Sequence, residues 1–223
     1  ERGNVMLKAL IIDFDGTMID SESLWHKAYD MWLKEHHGHE FPLELFIRNA
    51  GSDGREVFAE LERRIGHSVQ WKEMQDWSYQ QVHRWADMLD PMPGVVEMIR
   101  TAKERGLKIS TGTSSRAFRV IAQLERLELM QYFDALSTVD LVEHAKPHPD
   151  IFLKAAELLG VEPQECLVIE DSANGVLAAT RAGMRCLIVP NDITRSMDFS
   201  GAYGVLPSLE AVDLDEIRLD FEK

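Results

Sequence analysis

The run Ala9-Leu10-Ile11-Ile12-Asp13-Phe14-Asp15-Gly16-Thr17 constrains the fold more than any other stretch, because four consecutive apolar residues lead straight into two carboxylates. A short strand with no polar alternation is one covered on both faces, as in a parallel sheet, where ligands gather at the carboxyl ends of the strands. Asp13 and Asp15 then stand at that edge. Gly16 permits a sharp turn that aims both acids at one spot. Alone, an Asp-x-Asp pair suits a plain strand-to-loop turn equally well, so the rest of the chain has to decide.

From Met18 to Leu89 only helical patterns occur: Glu22 to His36 with Ser21 or Ser23 as its cap, Pro42 to Asn49, Arg55 to Ile65 and Trp71 to Met88. All five tryptophans fall in this block. A helical block between two strand signals reads as an insertion, a helical cap domain over residues 19–89 set into a core of residues 1–18 and 90–223. His36, His37 and His39 around Gly38 fit a solvated helix end better than a metal site. The turn Gly51-Ser52-Asp53-Gly54 precedes Arg55 and is either a helix cap or a substrate-facing loop.

Pro91-Met92-Pro93-Gly94 marks the return to the core, after which helices and strands alternate. The pattern predicts helices over Val95 to Arg105, Ala117 to Leu127, Pro149 to Leu159 and Gly175 to Ala182. Strands are expected at Leu107 to Thr113, Ala135 to Thr138, Cys166 to Ile169 and Arg185 to Val189. After Asn191 only a polar loop and a short acidic helix are legible. Repeated αβ units with right-handed crossovers give an α/β doubly wound parallel sheet, a Rossmann-like core.

With 223 residues and 45% hydrophobic content the chain can bury a large core. No apolar run approaches the roughly 20 residues that span a bilayer, and the first residues carry no signal-peptide core. The net charge of -14 repels nucleic acid and anionic membranes, leaving a small-molecule partner for a monomeric, cytoplasmic protein. Cys166 and Cys186 sit in apolar strand patterns and are expected buried and reduced.

Three strand ends deliver polar groups to one edge: Asp13 and Asp15, then Thr113 and Ser114, then Glu170 and Asp171. Four carboxylates at a spacing of about 5 Å repel by about 3 kcal/mol per pair at an effective dielectric near 20, so they call for a cation, naturally Mg2+. The Thr113 and Ser114 hydroxyls and the backbone N–H groups that open the next helix offer donors to an anion. Lys146 adds a fixed positive charge. Singly each has a plain structural role; together they suit phosphoryl transfer.

Asp13-Phe14-Asp15-Gly16-Thr17, the Thr113-Ser114 strand end, Lys146-Pro147-His148-Pro149-Asp150 and Ile169-Glu170-Asp171-Ser172 resemble the haloacid dehalogenase superfamily. The inserted helical block resembles the cap of its β-phosphoglucomutase-like phosphatases. The resemblance implies that Asp13 is the nucleophile, Asp15 the general acid and base, and Lys146 the neutralising cation. It implies that Thr113 holds the phosphoryl group, with Ser114 beside it. Mg2+ is then held by Asp13, the Asp15 backbone carbonyl and Asp171, with Glu170 nearby. The expected activity is hydrolysis of a small phosphorylated metabolite, a sugar phosphate. One alternative is a β-phosphoglucomutase; another is a non-catalytic phosphate-accepting signalling module, which has no use for a cap or for Asp15. Trp25 stands where the mutase has a relay histidine, and indole cannot relay a proton at neutral pH. Trp25 and Arg55 are the candidate substrate residues of the cap.

Overall fold

The computed structural model describes residues 5–49 and 55–223, leaving aside the side chains of Asn49, Arg55 and Glu56. Contacts divide the chain into two units, Glu1–Ile19 with Asp90–Lys223, and Asp20–Leu89.

The first unit is built on a parallel sheet of β1 (Ala9–Ile12), β2 (Lys108–Thr113), β3 (Ala135–Thr138), β4 (Cys166–Glu170), β5 (Arg185–Ile188) and β6 (Gly204–Val205), in the order β3-β2-β1-β4-β5-β6. Every residue of β1 and β4 is buried, as unalternating apolar strands require. Ile12 is in register with Thr111 on one side and Ile169 on the other. The residues that follow Ile12, Thr111 and Ile169 therefore emerge at one edge. Chain order reverses about β1, and that reversal is where an open α/β sheet forms its ligand crevice.

Amphipathic helices cover the sheet: α5 (Val95–Glu104), α6 (Ala117–Arg126), α7 (Asp150–Leu159), α8 (Ala173–Arg181) and α9 (Leu214–Phe221). Ile151, Phe152 and Ala155 of α7 and Val176 and Ala179 of α8 join Ala9 and Ile11 of β1 in one buried cluster. Truncating fully buried Phe152 to alanine costs about 3–5 kcal/mol. Gly112 makes this packing possible, since a Cβ there would lie 2.7 Å from both Ile11 and Phe152. Cys166 and Cys186 are buried free thiols, as expected.

The second unit holds α1 (Ser21–His37), α2 (Leu43–Asn49), α3 (Arg55–Ile65) and α4 (Trp71–Ala86). Met74, Ser78, Val82 and Ala86 recur every fourth residue and form the buried face of α4. The cap of α1 is Asp20, which accepts from the Ser23 N–H at 3.2 Å, so neither Ser21 nor Ser23 plays the expected part. A carboxylate is the better acceptor beside the positive end of a helix. Gly38 at φ 70° stops α1 as predicted. His36 bonds the Trp32 carbonyl and His37 the Gln70 amide, which gives each an ordinary structural partner.

Other boundaries shift by one or two residues. Helix α4 ends at Ala86 rather than Met88, and α8 starts at Ala173, because the Ser172 hydroxyl caps it through the Gly175 N–H. Strand β6 lies in what reads as a polar loop. No helix among the described residues is long and apolar enough to cross a membrane.

Candidate active site

Asp13 follows the last residue of β1 and is 5% exposed, with its backbone N–H still paired to the Ile169 carbonyl. That bond extends the β1–β4 ladder by one step and pins the carboxylate beside the end of β4. Lys146, from the loop before α7, donates to Asp13 Oδ1 and to Glu170 Oε1, each at 2.6 Å. Its side chain is 8% exposed, so the ammonium is desolvated and both pairs are of the strong, charge-assisted kind. Burial pulls Lys146 toward its neutral form, but Asp13 and Glu170 more than offset it and hold the ammonium above its ordinary range. Burial pushes the Asp13 carboxyl up, to about 8, against the pull of Lys146.

Glu170 ends β4, and both its oxygens are engaged within the chain. Oε1 takes Lys146, while Oε2 takes the backbone N–H groups of Asp171 and Ser172 and the Ser172 hydroxyl. It thus braces the turn that leads into α8 and anchors Lys146 at once. Gly175 makes room for it, since a Cβ there would fall 1.9 Å from the Glu170 carboxyl carbon. Asp171, 3% exposed, accepts at Oδ2 from the Asn191 side-chain amide at 2.7 Å.

Oxygens of Asp13, Glu170 and Asp171 lie within 4.8 Å of one another, and among the described residues these three form the one group with the makings of a cation site. The donor set fits a hard divalent ion: every available atom is an oxygen, and three buried carboxyl groups converge with a single ammonium beside them. Packing agrees, because Gly16 takes φ 78° and a Cβ on it would strike Asp171 Oδ2 at 2.4 Å.

Asp15 emerges at the same edge but has different partners. Arg119 of α6 donates from Nη2 to its Oδ1 at 2.6 Å, and the Ser115 hydroxyl bonds its Oδ2. Asp13 is therefore tied to lysine and Asp15 to arginine, giving the two acids the separate environments that separate roles demand. Thr113 is 1% exposed, and its hydroxyl oxygen accepts the Ser115 N–H at 3.0 Å, bending the strand end into the start of α6. Ser114 is exposed.

Of the residues singled out in the sequence, Asp13, Lys146, Glu170 and Asp171 share one polar network, with Asp15 and Thr113 at the same edge. Trp25 lies in α1, its ring 6.2 Å from Tyr29 and 6.3 Å from Tyr79. Arg55 opens α3, but its side chain and the turn at residues 51–54 lie outside the described residues. Ser115, Arg119 and Asn191 escaped the sequence reading. Arg119 gave one usable signal, a cation one helical turn after a strand end that carries hydroxyls.

The family model of haloacid dehalogenase-like hydrolases matches residues 10–189, a span that holds every candidate site residue named above except Asn191. The chain belongs to this family. It is 37% identical to the protein YhcW of Bacillus subtilis over 94% of its own length and 95% of that protein. It is 33% identical to hexitol phosphatase B of Escherichia coli, covering 82% of this chain and 83% of that one. Among solved structures, CbbY from Rhodobacter sphaeroides in complex with phosphate superposes with a TM-score of 0.74 at 26% identity, over 92% of this chain and 96% of CbbY. The chain is thus a haloacid dehalogenase-like hydrolase of the phosphoric monoester class.

Proposed function

We propose that this family member is a Mg2+-dependent phosphatase that moves the phosphoryl group of a small phosphorylated metabolite, a sugar or sugar-alcohol phosphate, to Asp13 and then to water. The observation that carries the reading is the buried chain Asp13–Lys146–Glu170, which holds a carboxylate with a fixed cation at the carboxyl edge of the sheet. Similarity to a hexitol phosphatase supports the substrate class.

In this account an Asp13 oxygen forms a bond to phosphorus while the bond from phosphorus to the leaving alkoxide breaks, giving a phosphoaspartate. Asp15 gives the alkoxide a proton. It then takes one from the water that attacks phosphorus, which frees inorganic phosphate and restores Asp13. Such acid–base help is worth about 10²- to 10⁴-fold. To provide it, Asp15 has to turn one oxygen to the substrate while Arg119 keeps hold of the other. Lys146 offsets charge on Asp13 and on the incoming phosphoryl oxygens. Thr113, Ser114 and the N–H groups that open α6 are the donors for those oxygens. Asp13, Asp171 and the Asp15 backbone carbonyl would hold Mg2+, with Glu170 behind them, and the ion would supply positive charge against the phosphoryl group. In this reading the helical unit of residues 20–89 is the cap, the part that would exclude water, and Trp25 and Arg55 are its candidate substrate residues.

The test is phosphate release from p-nitrophenyl phosphate and a panel of sugar and hexitol phosphates, with MgCl2 or with EDTA. Release that needs Mg2+ is expected. No release under any metal condition would overturn the phosphatase reading, and release indifferent to EDTA the metal reading. With β-glucose 1-phosphate and a trace of the 1,6-bisphosphate, glucose 6-phosphate forming faster than inorganic phosphate would make the protein a mutase instead.

A further inference from the structure

Asn191 lies in the loop after β5, 7% exposed, and its side chain spends every polar atom on a defined partner. Its Oδ1 accepts the Ile193 N–H at 2.9 Å, the Thr194 N–H at 3.0 Å and the Thr194 hydroxyl at 3.3 Å. Backbone N–H groups only donate, so these bonds fix which end of the amide is oxygen. The Nδ2 end then faces the site, donating to the Gly16 carbonyl at 3.1 Å and to Asp171 Oδ2 at 2.7 Å. One side chain thus ties the Asp15-Gly16 turn to the Asp171 carboxylate, from the loop after β5.

We infer that Asn191 is a positioning residue that biases the carboxylate cluster toward a small six-coordinate divalent ion and against Ca2+, by keeping Asp171 Oδ2 engaged. This rests on the divalent-cation reading of Asp13, Glu170 and Asp171. Ca2+ accepts six to eight oxygens and readily takes both from one carboxylate, whereas Mg2+ demands near-octahedral geometry with one oxygen from each. For Asp171 to present both oxygens to an ion, Oδ2 has to share its lone pairs between the ion and the Asn191 N–H, which competes with a bond held at 2.7 Å. Neighbouring groups leave little slack for another arrangement: Lys146 occupies Asp13 Oδ1, and all of Glu170 is engaged within the chain. The Asn191 amide therefore penalises the larger ion selectively, and by fixing the Asp171 plane it favours the smaller one.

The experiment is isothermal titration calorimetry of the full chain with MgCl2 and with CaCl2, comparing wild type with Asn191→Ser. Serine keeps a short-range acceptor for the Ile193 and Thr194 N–H groups but cannot reach Asp171. Wild type is expected to bind Mg2+ at least as tightly as Ca2+. Asn191→Ser should weaken Mg2+ about tenfold, the low end for an outer-shell partner, and Ca2+ by less. A Ca2+/Mg2+ affinity ratio that stays the same or moves toward Mg2+ overturns the inference and leaves the metal site standing. Wild type that binds neither ion overturns both. Should the variant not fold, the wild-type titrations still decide, since tighter binding of Ca2+ than of Mg2+ by the native protein contradicts the role given to Asn191.

Discussion

Arg119 grips both oxygens of Asp15, from Nη2 to Oδ1 at 2.6 Å and from Nη1 to Oδ2 at 3.3 Å. Its Nη1 also donates to the Ser115 hydroxyl at 2.9 Å, which itself bonds Asp15. A planar fork of this kind fixes the carboxylate plane, which a lysine cannot do.

If the grip positions Asp15 as acid, Arg119→Lys lowers kcat on alkyl phosphates about tenfold or more, within the range of one acid–base contribution. With p-nitrophenyl phosphate, whose leaving group needs no proton, the loss should be much smaller. Equal losses on both substrates would reduce Arg119 to a structural support.

Gly175→Ala tests the tie between α8 and Glu170. The added Cβ would fall on the Glu170 carboxyl group and push it from Lys146 and from the Asp171 and Ser172 N–H groups. Overpacking of this sort costs about 1–3 kcal/mol. Chemical denaturation should show that loss, together with a greater fall in turnover than a neutral surface change gives. Unchanged stability would contradict the packing at this point.

The pH dependence of stability carries a signature far from the site. Burial and the hydrogen bond to Asp220 at 2.6 Å push the Tyr203 hydroxyl up from 10.0 to about 12. Asp220, Arg185 and Glu216 are the charged groups around it, and Arg185 pulls the other way. A group that binds its proton more tightly when folded contributes stability that is intact below the unfolded value and disappears as pH rises through the folded one. Tyr203 should therefore stabilise fully up to about pH 10 and lose its contribution toward pH 12. In denaturation midpoints measured across that window, Tyr203→Phe should show a shallower decline than wild type; identical slopes would rule the contribution out.

The sequence exposes those parts of this protein that are local. Asp13, Glu170 and Asp171 are legible because each sits where an apolar strand ends, and Lys146 because it opens a proline-rich turn. Arg119 and Asn191 are not, since each acts across a chain separation, 104 residues from Arg119 to Asp15 and 175 from Asn191 to Gly16, and looks like an ordinary helix or loop residue. The same physics governs the fold. Unalternating strands such as β1 and β4 announce themselves, whereas Gly204–Val205 is too short to show any period and becomes a strand only through pairing with Leu187 and Ile188. At the start of α1, three of four consecutive residues suit a cap, and only backbone geometry selects Asp20 over Ser21 and Ser23.

Covalent capture at Asp13 tests the central claim most directly. A reaction with p-nitrophenyl phosphate and MgCl2, quenched within the first turnover, reduced with borohydride and digested, converts a phosphorylated aspartate into homoserine that peptide mass spectrometry can place. Homoserine at position 13, absent from Asp13→Asn protein that still gives the native circular dichroism spectrum, is the predicted result. Homoserine at any other aspartate, or turnover that persists in Asp13→Asn, would contradict the account.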